Sequence, residues 1–277
     1  MTPELQKKVE KAVNLLQVIA GDDIIEVSYS GGKDSDVILE LARMSHVKFK
    51  AIYKNTTIDP PGTIKHCLEN GVEIINPKMT FLHLVQKKGL PTRRARFCCE
   101  VLKEYKVLDK AVHGIRRSES TARSKRYTED EPVICRIYGS KKNHVNVILP
   151  ILSWNDKDVT EFIAERGIKC HPLYYDEQGN FHAERRLGCL GCPLKSDAGR
   201  ADYKAYPKLF KQVVNAVVAW GLSHPQMKSV KKFGTPYGLI ANDIFYRSYA
   251  DWLADDINLF GRTDWKAFLE EQFKVNL

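Results

Sequence analysis

Six residues, Ser30-Gly31-Gly32-Lys33-Asp34-Ser35, stand between the apolar run Ile24, Ile25, Val27 and a second apolar run, Val37, Ile38, Leu39, Leu41. A glycine pair at such a junction predicts a buried strand, a tight turn and a helix. Gly31 and Gly32 let the backbone turn sharply and approach a ligand without Cβ clashes. The first amides of the helix point out of its N-terminus, with the positive end of the helix dipole behind them. Lys33 adds a point charge, Ser30 and Ser35 add hydroxyls, and Asp34 is a carboxylate of the kind that can help hold a magnesium ion. The six residues therefore predict a phosphate-binding strand–turn–helix unit. They match neither G-x-x-x-x-G-K-S/T nor G-x-G-x-x-G, so neither common nucleotide-binding turn explains them.

The rest of the chain supplies partners for that unit. Pro3 to Ala20 reads as an amphipathic helix, with Leu5, Val9, Val13, Leu16 and Ile19 on one side. Asp23 to Tyr29 reads as the first strand and Ser35 to Met44 as the next helix. Val47 to Tyr53 and Val72 to Ile75 read as strands, separated by Pro60-Pro61-Gly62 and a short helix, Thr63 to Glu69. Further strands are expected at Ala111 to Ile115 and Val145 to Leu149, then a helix from Ser153 stopped by Gly167. Strands alternating with helices imply an α/β fold: a parallel twisted sheet covered by helices on both faces. After Tyr203 the chain reads as helical, over Leu209 to Trp220, Asn242 to Leu253 and Asp264 to Phe273. The expected division is a nucleotide-binding core over 1–165, a cysteine-bearing segment over 166–200 and a helical region over 201–277.

Composition narrows the class. The 277 residues carry a formal charge of +9, which suits an acidic partner such as a nucleotide or a nucleic acid. No apolar run approaches the ~20 residues needed to span a bilayer. The first residues are amphipathic, unlike a secretory leader, so a cytoplasmic protein is expected. Disulfides are rare in that compartment, and the seven cysteines call for another explanation.

Cys98 and Cys99 are adjacent, and Cys189 and Cys192 form a C-x-x-C within RRLGCLGCPLK. Four thiolates in two pairs can bind one tetrahedral zinc ion or an iron–sulfur cluster, or can be separate buried thiols. A vicinal pair is awkward for a single tetrahedral ion and suits a cluster, whose irons occupy separate corners. Arg94, Arg96, Lys103, Arg185, Arg186 and Lys195 would offset the negative charge. Cys67, Cys135 and Cys170 lie outside this pattern and are expected in the core. His113, His171 and His182 are assigned no role.

S-G-G-K-D-S after the first strand resembles the pyrophosphate loop (PP-loop) of the ATP pyrophosphatase, or adenine nucleotide alpha hydrolase, superfamily, which cleaves ATP between its α and β phosphates. RFCCEVLKEYKV with the later GCLGCP resembles the phosphoadenosine phosphosulfate reductase family. Cluster-containing members of that family bind [4Fe-4S] with a vicinal pair and a C-x-x-C. The resemblance therefore implies Cys98, Cys99, Cys189 and Cys192 as cluster ligands. NTTIDPPGTIKH is similar to the segment that cradles adenosine, which implies Asn55 and Thr56 as nucleotide contacts. GIRRSESTAR looks like the family's G-x-R-x-x-E-S segment and implies that Gly114, Arg116, Arg117 and Arg123 face an anionic ligand; arginine forks suit phosphate and sulfate. The resemblance covers roughly residues 20 to 200.

Two departures shape the expected reaction. The reductases attack sulfur with a cysteine in a C-terminal E-C-G-I/L-H motif, whereas no cysteine follows Cys192 here. They also carry an altered phosphate loop, whereas SGGKDS is intact. An intact loop with cluster cysteines resembles the DNA-phosphorothioation sulfur-transfer proteins and the cluster-containing tRNA thiolases. The resemblance implies an ATP-dependent enzyme of sulfur metabolism that adenylates a nucleic-acid or related substrate, releases pyrophosphate and transfers sulfur. It further implies ATP, Mg2+ and [4Fe-4S] as cofactors, Lys33, Asp34 and Arg116 as catalytic residues, and a sulfur-donor or electron-donor protein as partner. A sulfonucleotide reductase is the runner-up, and a nucleotide- and cluster-binding module without turnover is the third reading.

Overall fold

The computed structural model describes residues 1–127, 131–138, 143–227, 235–245 and 264–277. By contact the chain forms two units. The first comprises Met1–Asn55, Asp59–Pro77 and Glu100–Gly188, and the second comprises Thr56–Ile58, Lys78–Cys99 and Cys189–Leu277.

The first unit is built on a six-stranded sheet: β1 (Ile25–Tyr29), β2 (Phe49–Lys54), β3 (Glu73–Ile75), β4 (Lys110–Val112), β5 (Val133–Tyr138) and β6 (Asn143–Ile148), in the order β3-β2-β1-β4-β6-β5. All neighbours are parallel except β5, which runs antiparallel to β6 at one edge. The expected parallel sheet is thus mixed. Only four residues separate β5 from β6, too few for the crossover that a parallel pair needs, so the two strands pair antiparallel. β1 alternates: Ile25, Val27 and Tyr29 enter a core with Leu5, Leu16, Val37, Ile38, Trp154 and Phe162, while Glu26 and Ser28 turn to the opposite face. That opposite face holds a second cluster containing Val107, Ala111, Tyr127, Tyr138, Val145 and Val147.

Helix α1 (Pro3–Ala20) covers the predicted span, with Thr2 as its N-cap. α2 (Lys33–Met44) starts two residues earlier than expected, because Gly32 takes the cap position. α3 (Thr63–Glu69) has the expected bounds. The helix expected from Ser153 begins only at Asp156, after an Asn155–Asp158 capping box, and ends at Gly167 in the left-handed region. The middle helix expected in the C-terminal region is described as Pro236–Phe245; its remaining expected residues, 246–253, lie outside the described residues.

The second unit contains α4 (Phe81–Lys88), which the sequence pattern does not announce, together with α8 (Arg200–Ala205), α9 (Pro207–Ser223) and the helices Pro236–Phe245 and Trp265–Phe273. Its interior is aromatic. Phe210 and Phe273 lie 4.0 Å apart between ring centroids, and Tyr203 packs on both. Full burial of such side chains stabilises by roughly 1.5–3 kcal/mol each. No helix among the described residues is long and apolar enough to cross a membrane.

Cys67 and Cys170 are buried as expected, but Cys135 is exposed. It sits on the edge strand β5, whose odd-numbered residues face outward beside Ile137, and its Sγ lies 3.6 Å from His144 Nδ1.

Candidate functional site

β1 and β4 are neighbours at the centre of the sheet, and the chain leaves them in opposite directions: β1 leads to β2 and β3, β4 toward β6 and β5. In an open α/β sheet the crevice beyond such a switch point is where ligands bind. Ser30–Ser35 follows β1 and Gly114–Arg116 follows β4. The two meet: a Cβ on Gly114 would lie 2.8 Å from the Asp34 carbonyl oxygen.

The turn itself is tight. Gly31 has φ +77°, and a Cβ there would lie 3.0 Å from Thr63 Cγ2. Gly32 heads α2 with no side-chain hydrogen bond to the first amides. Ser35 donates from Oγ to the Gly32 carbonyl at 2.6 Å, and Ser30 Oγ lies 3.3 Å from Ser35 Oγ. Lys33 is only 4% exposed, and its Nζ lies 5.6 Å from the centre of the Tyr174 ring. The result is a helix N-terminus without a side-chain cap from Gly32 and with a buried ammonium beside it, an arrangement that attracts a phosphate.

Arg116 does something the sequence does not suggest. It is 2% exposed. Its Nε donates to Asp34 Oδ1 at 2.7 Å, Nη2 to Asp156 Oδ1 at 2.8 Å and Nη1 to Ser118 Oγ at 3.0 Å. Its guanidinium therefore ties the phosphate turn to the first turn of α7 (Asp156–Arg166). Asp34 Oδ2 faces Lys33 Nζ at 3.3 Å, so a metal ion on Asp34 would share the carboxylate with two cations, Lys33 and Arg116. Arg117 donates its backbone N–H to the Leu152 carbonyl, and Arg123 pairs with Glu119. Asn55 donates from Nδ2 to Asn76 at 2.9 Å within the first unit, whereas Thr56 belongs to the second.

All four of the paired cysteines fall in the second unit. Cys98 and Cys99 open α5 (Phe97–Leu102). The Cys98 thiol is held far above the ordinary thiol range, first by its hydrogen bond to Cys99, then by burial, then by the negative charge that Cys99, Cys189 and Cys192 would carry. The other three sulfurs thus lie within electrostatic reach of Cys98. Among the described residues, no group of three or more His, Cys, Asp or Glu side chains is arranged to hold a metal ion. The C-x-x-C loop is braced on every side. Cys189 Sγ donates to Thr56 Oγ1 at 3.6 Å, the Leu190 N–H to the Ile58 carbonyl at 2.8 Å, and the Gly191 N–H to Asp202 Oδ2 at 2.8 Å. Lys195 completes the Asp202 contact at 2.6 Å. Asp202 and Asp156 carry these arrangements, yet no local spacing in the sequence marks either.

Histidines divide by environment. His171 is buried, and His182 pairs with Asp176 and Glu184. His113, directly after β4, is pushed down to about 3 by removal from water and then by the Arg136 and Lys54 cations, so it is neutral in the fold. The unfolded chain takes up a proton below about pH 6.5 and the folded one does not. The stability associated with a neutral His113 is therefore complete above pH 6.5 and is lost as pH falls toward 3. In urea titrations, wild type is expected to lose up to about 1 kcal/mol per pH unit from this site between pH 6 and pH 4. His113→Gln should flatten that limb, and an unchanged slope would contradict the assignment.

Residues 24–195 match the family described as the phosphoadenosine phosphosulfate reductase domain. An uncharacterized protein of Methanocaldococcus jannaschii is 30% identical over 236 residues, 75% of this chain and 54% of that protein. Sulfate adenylyltransferase subunit 2 of Sulfurimonas denitrificans is 25% identical over 209 residues, 61% of this chain and 66% of that one. Among solved structures, the U34-tRNA thiolase NcsA from Methanococcus maripaludis with its [4Fe-4S] cluster shares 14% identity, with a TM-score of 0.41 over 80% of this chain and 82% of that one. The chain spans about half the length, or less, of the first curated relatives it matches. With the match covering well over half of its residues, the chain belongs to the phosphoadenosine phosphosulfate reductase domain family.

Proposed function

We propose that the protein binds ATP on the Ser30–Ser35 turn and cleaves it between the α and β phosphates to adenylate an acceptor. The observation that carries this reading is the glycine-headed N-terminus of α2 with Lys33 buried beside it. The positive end of the helix dipole and a desolvated ammonium stabilise the charge that gathers on phosphate oxygens in the transition state. An acceptor oxygen attacks the α-phosphorus, the bond to the bridging oxygen breaks, and pyrophosphate leaves. A sulfide-level nucleophile from a donor then displaces AMP and leaves sulfur on the acceptor. Arg116 acts by fixing Asp34, which in turn fixes Lys33. The sulfate adenylyltransferase relative supports ATP as the nucleotide, and the basic composition suits a nucleic-acid acceptor.

Cys98, Cys99, Cys189 and Cys192 are proposed to hold a [4Fe-4S] cluster, with zinc as the runner-up; the reach of the other three to Cys98 supports one shared site. When bound, a cluster supplies redox or sulfur-handling chemistry. The chain's own residues hold the C-x-x-C loop in place through Asp202 and Lys195.

Pyrophosphate exchange tests the reading. Labelled pyrophosphate should enter ATP when oligonucleotides are supplied as acceptor, and Lys33→Ala should lower the rate by about 100-fold or more. Release of sulfite from a phosphosulfate with thioredoxin and no ATP would instead establish the reductase reading.

A further inference from the structure

β5 closes the sheet at the edge opposite β3, and among the described residues no strand pairs with its outer side. A free row of N–H and C=O groups is a template for another strand, so natural sheets blunt such edges with lysine, proline or a bulge. β5 has none of the three. Its sequence is VICRIY, and its pairing with β6 runs unbroken from Val133 opposite Ile148 to Tyr138 opposite Asn143. The side chains that face outward are apolar as well: Cys135 is exposed, and Ile137 is 59% exposed. The one charge in the strand, Arg136, lies on the other face and donates to the Tyr127 hydroxyl.

Parity decides which main-chain groups are free. The Leu149 N–H donates to the Pro132 carbonyl at 2.7 Å. In an antiparallel pair, alternate residues turn both their N–H and C=O toward the neighbouring strand. The even-numbered residues therefore bond to β6, and Val133, Cys135 and Ile137 present theirs to the free edge. These are also the residues whose side chains share the outward face. For a second β5 laid antiparallel on this edge, one register pairs all three. Val133 then faces Ile137 of the second copy, Cys135 faces Cys135, and Ile137 faces Val133. That register sets Arg136 opposite Ile134 of the second copy. The register centred on Arg136 sets two arginines opposite each other, which is repulsive, and pairs fewer outward residues.

We infer that β5 is a self-association edge, at which a second copy of this chain adds its own β5 about a two-fold axis between the two Cys135 residues. The contact is isologous, so it closes at two copies. About six main-chain hydrogen bonds form, two for each facing pair. The outward apolar row meets its own image on one face of the joined sheet. The axis stands perpendicular to the sheet and reverses strand direction, so the turns that follow β1 in the two copies point to opposite ends of the assembly. Association at this edge needs neither nucleotide nor cluster and is independent of the adenylation reading.

Sedimentation of the full chain from about 1 µM to about 500 µM tests the inference. The mass should climb from one chain to two as mass action requires. Ile137→Pro deletes an N–H that points away from β6, so the β5–β6 ladder survives while self-association weakens at least about tenfold. Circular dichroism melting checks that the variant is folded. Should proline lower the melting temperature, Ile137→Lys, on an exposed side chain, gives the same reading through an edge charge. A short bismaleimide should link two chains through Cys135 in the wild type. Cys135→Ser should lose that link and keep the concentration-dependent mass. A single-chain mass throughout the range, association undiminished in folded Ile137 variants, or equal cross-linking in Cys135→Ser would each overturn the assignment.

Discussion

Gly191→Ala is expected to unfold the C-x-x-C loop and lower stability by about 3–4 kcal/mol, combining overpacking with a left-handed backbone. Gly191 has φ +66°. A Cβ there would lie 2.3 Å from Tyr203 Cζ and Oη and 2.6 Å from Cε1. Tyr203 has nowhere to go: it is 1% exposed and packs against Phe210 and Phe273. The loop cannot retreat either, because Gly199 already approaches so closely that a Cβ on it would lie 2.5 Å from the Gly191 backbone. A loss of this size lowers the melting temperature by about 10 °C in a chain of this length. Circular dichroism at 222 nm reads the melting, and iron and sulfide assays after anaerobic purification read the loop's fitness as a ligand. Cys98→Ser should lose iron without the same fall in melting temperature. A Gly191→Ala protein that melts like wild type would show that the loop packs differently.

Arg116→Ala should cost about 3 kcal/mol, because a buried cation that bridges two carboxylates is removed and Asp34 keeps its charge in a partly buried position. Arg116→Lys retains the charge but not the fork, and one ammonium cannot reach Asp34, Asp156 and Ser118 together. Pyrophosphate exchange should fall about 100-fold in both, through a displaced Asp34. A double-mutant cycle with Asp34→Asn distinguishes positioning from direct ligand contact. Coupling above about 1 kcal/mol in urea unfolding is expected if the arginine acts through Asp34. Strictly additive stabilities, with loss of ATP affinity alone, would make Arg116 a ligand contact.

α1 and α3 were legible to the residue because their caps are local: Thr2 and Pro3, and Pro60-Pro61-Gly62. β5 was not, since its pattern resembles any half-buried segment and only pairing with β6 makes it a strand. For the same reason Cys135 looked like a core residue: nothing in VICRIY states that this strand is an edge. The phosphate turn was legible because glycine spacing reports backbone conformation directly. The partners of Arg116 were not, because Asp34 and Asp156 lie 82 and 40 residues away.

Local chemistry is thus what the amino-acid sequence determines by itself here: a glycine turn ahead of a helix, two pairs of cysteines, and a strand–helix alternation that permits few architectures. Each is encoded within a few neighbouring residues, where backbone stereochemistry and side-chain spacing act without the rest of the chain. The tertiary structure decided what those pieces do to one another. It converted Arg116 from an expected ligand-facing fork into a buried brace, gathered Cys98, Cys99, Cys189 and Cys192 into one unit, and enclosed Glu26, Lys54, Arg136 and Tyr138 around one cavity. Burial and long-range charge pairing act through space and are not written in any short stretch of chain.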